Sequence, residues 1–178
     1  CLLRGLDLHG ALAGIIAGSG TTLGNEAEAP NSYNTIQNNW IIKAQNGLYL
    51  RGSTQSLDQN WLVTGNTVGS KVSTEKMSFR GMLLGNSRNM AISNNTINGA
   101  TTSSTSTTTG IQVAFTIDGG NISGNTISDI KNTNTTGYGC NGMYLGSTTT
   151  ASNLTIANNV IYDIAAYGYS GTGSLDNG

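Results

Sequence analysis

Asp129 and Asp163 are the acids best placed to act as a pair. Each stands between isoleucines, in Ile127-Ser128-Asp129-Ile130 and Ile161-Tyr162-Asp163-Ile164, four residues after an Asn that recurs along the chain. If those two segments stack, two carboxylates lie on neighbouring rungs. Paired carboxylates carry out glycoside hydrolysis, and carboxylate oxygens are hard ligands suited to Ca²⁺. The three earlier equivalents are Lys43, Ser70 and Gly99, and an Asp in such a setting also serves as a turn residue that bonds local backbone. The turn reading is the preferred one, and it extends to Asp118, which precedes Gly119-Gly120. His9 is the only histidine and has no second imidazole or thiolate close by to complete a metal site. Glu26 and Glu28 fall in an irregular stretch before Pro30, and Cys1 and Cys140 are too few for a disulfide framework. These residues assign no catalytic group, no metal ligand and no cofactor.

The aromatic residues suit a different task. Tyr49 and Tyr144 occupy the same place in a Gly-led alternating strand, where Leu83 and Gln112 stand in the intervening copies. An outward ring on a flat sheet stacks on a sugar; filling a groove beneath a loop accounts for the same residues equally well.

Whatever these side chains do, a repeat must position them. The pattern apolar-x-x-Asn-x-apolar occurs at Ile36-Asn39-Ile41, Val63-Asn66-Val68, Ile92-Asn95-Ile97, Ile122-Asn125-Ile127 and Ile156-Asn159-Ile161, with Asn-to-Asn intervals of 27, 29, 30 and 34 residues. A second strand recurs as Gly47-Leu48-Tyr49-Leu50, Gly81-Met82-Leu83-Leu84, Gly110-Ile111-Gln112-Val113 and Gly142-Met143-Tyr144-Leu145, with Gly5-Leu6-Asp7-Leu8 as an earlier copy. Period-two alternation in short runs means strands with one face inward. A third, less regular strand leads into the Asn motif at Trp61-Leu62-Val63, Met90-Ala91-Ile92 and Leu154-Thr155-Ile156.

Three strands and three turns in about 30 residues form one coil of a solenoid. The expected fold is all-β, a right-handed parallel β-helix of five to six coils belonging to a longer array. Residues 1–33 are expected to form one or two divergent first coils with Gly-rich turns at Gly14, Gly18 and Gly20, and residues 34–178 the repeats, incomplete at the C-terminal end. Stacked coils place Asn39, Asn66, Asn95, Asn125 and Asn159 in a column, where inward amides bond one another and tolerate the left-handed backbone of a sharp corner. Polar loops are expected at Gly69–Ser78, Ala100–Thr109 and Lys131–Gly139.

Composition narrows the function. Only 10% of residues are charged, the net charge is −1, and there are 25 Gly against one Pro. The eight Lys and Arg are dispersed, so no nucleic-acid footprint is present, and no apolar run reaches the length of a membrane span. The segments Ile92-Ser93-Asn94-Asn95-Thr96-Ile97, Ile122-Ser123-Gly124-Asn125-Thr126-Ile127 and Ile156-Ala157-Asn158-Asn159-Val160-Ile161 resemble the parallel β-helix repeat family of pectate-lyase-like folds. More narrowly, residues 158–171 look like repeats of large secreted surface proteins of Bacteroidota bacteria, which implies export by type IX secretion. The resemblance covers about residues 34–170, and no lyase site residues carry over, since no matching Asp, Lys and Arg arrangement is present. The expectation is a non-catalytic extracellular or cell-surface module, a rigid spacer or adhesin that binds glycan. Polysaccharide, other cell-surface components or the secretion machinery that carries it as cargo are its expected partners. The alternative is a polysaccharide lyase or glycoside hydrolase.

Overall fold

The computed structural model describes residues 11–147 and 152–168, and over them the chain is a parallel β-solenoid of five coils. Each coil contributes one strand to each of three parallel sheets. The first sheet holds the Gly-led strands β1 (Ala13–Ala17), β4 (Asn46–Arg51), β8 (Arg80–Gly85), β11 (Thr108–Phe115) and β14 (Cys140–Ser147). The second holds β2 (Thr35–Gln37), β6 (Leu62–Thr64), β9 (Ser87–Ser93), β12 (Ile117–Ser123) and β15 (Leu154–Ala157), with the short β5 (Asp58–Gln59) added against β9. The third holds β3 (Trp40–Ile41), β7 (Thr67–Val68), β10 (Thr96–Thr102), β13 (Thr126–Asn132) and β16 (Val160–Ala166). Among the described residues one 3₁₀ turn, Ser73–Glu75, is the whole of the helical structure.

The lumen is a set of aliphatic columns. Ile36, Val63, Ile92, Ile122 and Ile156 stack along the second sheet, and Ile41, Val68, Ile97, Ile127 and Ile161 along the third. Leu48, Met82 and Ile111 complete the core from the first sheet and are fully buried. The Gly that opens each first-sheet strand is explained by close approach: a Cβ at Gly81 would lie 2.4 Å from Ile97 Cγ2 and 2.5 Å from the Gly110 carbonyl oxygen. Gly14 has the same surroundings, with Ile41 Cγ2 at 2.3 Å. Gly14 is therefore the strand glycine of the first coil and not a turn residue, and β1 pairs with β4 throughout its length. Gly5–Leu8, His9 and Cys1 lie outside the described residues.

The Asn column is a continuous hydrogen-bonded chain. The side-chain amides of Asn39, Asn66, Asn95 and Asn125 each donate to the Oδ1 of the next Asn at 2.9–3.0 Å, and their backbone N–H groups donate to the same oxygens at 3.0 Å. The remaining Nδ2 hydrogens reach back to the preceding coil: Asn66 to the Ile36 carbonyl, Asn95 to Val63, Asn125 to Ile92 and Asn159 to Ile122, at 2.8–2.9 Å. One amide thus ties three successive coils.

The left-handed corner residue is not the ladder Asn but the one before it. Asn38, Gly65, Asn94, Gly124 and Asn158 have φ between 55° and 65°. Asn and Gly alternate there for a steric reason. A Cβ at Gly65 would lie 2.5 Å from Asn38 Oδ1, and one at Gly124 would lie 2.6 Å from Asn94 Oδ1.

The stretch Ala100–Thr109, expected as a loop, is half strand. Thr101 and Thr102 pair with Lys131 and Asn132, and Thr108 and Thr109 pair with Cys140 and Asn141. Thr is β-branched and fits a pleated surface, so only residues 103–107 turn. The segment from 18 to 34 is a strap joining β1 to β2 across the outside of the first sheet. It is fastened by Glu26, which accepts from the Thr54 backbone N–H, Thr54 Oγ1 and Asn86 Nδ2, and by the Tyr49 hydroxyl and Arg51 Nη1, which both donate to the Gly24 carbonyl. Glu28 closes the strap on itself: hydrogen bonds from Ser19, the Gly20 N–H and Thr21 bring its carboxyl down to about 2. Asp58 accepts from the Asn31 N–H at 2.7 Å and is fully buried, which pushes its carboxyl up.

Replacing Asn95 by Ala removes the acceptor for both Asn66 donors and the donor to Asn125 and Val63, all buried. Urea unfolding should show Asn95→Ala destabilised by ~2–4 kcal/mol. Asn95→Asp, which keeps the acceptor but buries a charge and loses both donors, should be at least as unstable at pH 7.

Candidate functional site

The repeat brings Asp129 and Asp163 opposite one another, between the paired positions Ser128–Tyr162 and Ile130–Ile164. Both have left-handed backbones, with φ of 55° and 56°, interrupting strands β13 and β16. Asp tolerates that conformation better than most residues, which supplies a backbone reason for its presence. The carboxylates are also neutralised. Lys131 Nζ lies 3.0 Å from Asp129 Oδ1 and 3.2 Å from Asp163 Oδ1, and Lys76 Nζ lies 2.7 Å from Asp129 Oδ2. The order is Lys76, Asp129, Lys131, Asp163, alternating in sign. Burial of Asp129 by itself favours its neutral acid, but the hydrogen bonds and charges of Lys76 and Lys131 together outweigh it and hold the carboxyl below its ordinary value. Lys131 is raised in turn by hydrogen bonds to Asp129 and Asp163.

This geometry works against an acid pair. A general acid needs a carboxyl that keeps its proton near working pH, and flanking ammonium groups do the opposite. Asp118 also exceeds its expected turn role: it sits opposite Arg88 in the neighbouring coil and accepts from Arg88 Nε at 2.8 Å. Cys140 is buried in β14.

The outward column Tyr49, Leu83, Gln112, Tyr144 is in register across four coils. Its two tyrosines have different fates. Tyr49 is only 8% exposed, and its hydroxyl is spent on Gly24 at 2.6 Å. It is a buried anchor for the strap and presents no ring face to a ligand, which corrects its place as a candidate glycan contact. Tyr144 is 47% exposed. It borders a groove of about 350 Å³ that is also lined by Phe79, Arg80, Thr107, Thr109, Gln112 and Asn141. The Arg80 guanidinium lies 4.0 Å from the centroid of the Phe79 ring, and burial pulls its pKa down to about 10. Sequence reading missed Arg80 and Phe79. The available signal was a cation heading a first-sheet strand, at the place where Asn46 and Thr109 stand in adjacent copies.

Comparison with protein-family models, with curated proteins and with solved structures yields no match for this chain. The fold class, a parallel β-solenoid, therefore rests on the strand pairing itself.

Removing the Asp129 charge tests the ion chain. Because the folded carboxyl lies below its unfolded value of roughly 4, its contribution is fully present at neutral pH and fades as pH falls through the folded value. Asp129→Asn should cost ~1–3 kcal/mol at pH 7, and the difference from wild type should shrink steadily below about pH 4. Asp163→Asn, with its side chain half in solvent, should cost under ~1 kcal/mol. Thermal melts across pH check both.

Proposed function

We propose that the chain is a non-catalytic extracellular or cell-surface module, a rigid spacer or adhesin segment that binds glycan on the outer face of its first sheet. The observation that carries this reading is the unbroken Asn column, which ties every coil to its neighbours and makes a stiff rod without needing a large core. The groove beside Tyr144 offers the features of saccharide recognition: one exposed ring and several amides and hydroxyls around it. The neutralised Asp129–Asp163 column supports binding over hydrolysis. The resemblance of residues 158–171 to repeats of Bacteroidota surface proteins adds a source, a large secreted bacterial protein exported by type IX secretion.

The test is an array of bacterial and host surface polysaccharides probed with the purified chain. Expected are hits whose affinity falls about 3- to 10-fold in Tyr144→Ala, the worth of one ring contact, and no change in Tyr49→Phe. Turnover of any polysaccharide on the array would replace this reading with a lyase or hydrolase.

A further inference from the structure

Arg80 is unlike the other cations of this surface. Arg88, Lys76 and Lys131 each face a carboxylate. Arg51 lies 4.0 Å from the Phe115 ring centroid and donates to the Gly24 carbonyl. Arg80 is half-buried and has no carboxylate and no side-chain hydrogen bond among the described residues. Its Nε is shielded from solvent without an acceptor, and its guanidinium lies over the Phe79 ring. A guanidinium withdrawn from water without a counter-charge is costly, and at a pKa of about 10 it is still cationic at neutral pH. The cost falls in the lining of a groove that also holds the exposed Tyr144, Gln112 and Thr109.

We infer that this groove binds a sugar unit carrying an anionic substituent, a carboxylate or a sulfate ester, with Arg80 as the counter-charge and Tyr144 as the stacking surface. Arg80 offers a planar donor fork matched to either oxyanion, and Phe79 beneath it fixes the plane. Gln112, Thr109 and Asn141 supply donors and acceptors for ring hydroxyls. Among the described residues no acid lines the groove to repel the ligand. The inference rests on the glycan-binding reading of the same site and adds to it a charge selectivity.

The experiment compares three polymers with one backbone: dextran, carboxymethyl-dextran and dextran sulfate, titrated against the whole chain at low salt. Expected is a preference of 10-fold or more for the charged polymers over dextran, the worth of one charge-assisted contact, and the stronger of the two identifies the oxyanion. Arg80→Gln should abolish the preference while leaving dextran binding and raising or preserving the melting temperature. Arg80→Lys, which keeps the charge but loses the fork and the Phe79 stack, should lose most of it. Lys71→Gln, an exposed lysine outside the groove, should change nothing. Equal binding of all three polymers, or a preference that survives Arg80→Gln, overturns the inference; if that binding still weakens in Tyr144→Ala, the glycan reading stands without it. Charged-polymer binding that needs Arg80 but ignores Tyr144→Ala upholds the anion site and overturns the saccharide reading. Failure of all three polymers to bind overturns both.

Discussion

A buried amide is costly unless both its donor hydrogens and its acceptor are met, and the rest of this structure depends on the way the Asn column meets that demand. Asn66, Asn95 and Asn125 each accept from the coil before, donate to the coil after and reach back to a preceding carbonyl, while the Oδ1 of Asn39, in the first coil, is buried without a donor. Loss of one amide leaves several partners unmet in a dry interior, so the column fixes the register at the corner between the second and third sheets. The aliphatic columns add burial and exclude a one-residue slip, which would turn the inward face outward. The amides add a directional constraint that apolar contacts lack.

Charge is handled on the outside by the same stacking logic. Coils about 4.8 Å apart bring equivalent residues into columns, where like charges would repel. The chain answers with alternating signs, as in Lys76, Asp129, Lys131 and Asp163, or with opposite charges in register, as in Arg88 and Asp118. Against that background a lone half-buried Arg80 is conspicuous, because neighbouring coils offer it Asn46 and Thr109 where an acid would have served.

The parallel coils, the column of five asparagines and the shared register of Tyr49, Leu83, Gln112 and Tyr144 were legible in the sequence, because repetition at near-constant spacing forces equivalent residues to stack. What was not legible came from segments that do not repeat. The strap 18–34 gives no periodic signal, so the burial of Tyr49 beneath Gly24 was invisible. Lys76 lies in a connection of irregular length, and only folding brings it to Asp129. Gly14 was assigned to a turn because its coil lacks the regular spacing to the next Asn. The corner conformation was assigned one residue too late, since Asn at the ladder and Asn at the corner look alike in a run such as Asn94-Asn95.

That corner has a consequence for how such a chain grows. Because Asn38, Gly65, Asn94, Gly124 and Asn158 alternate, and each Gly makes room for the side chain of the Asn one coil before it, the true unit of the solenoid is not one turn but two. A lineage that lengthened this rod by duplicating a single coil would set two bulky corners, or two bare ones, side by side. Duplication of a pair keeps the alternation intact. Even-numbered extension is thus written into the sterics of one backbone position, and a designer adding coils would do well to add them two at a time.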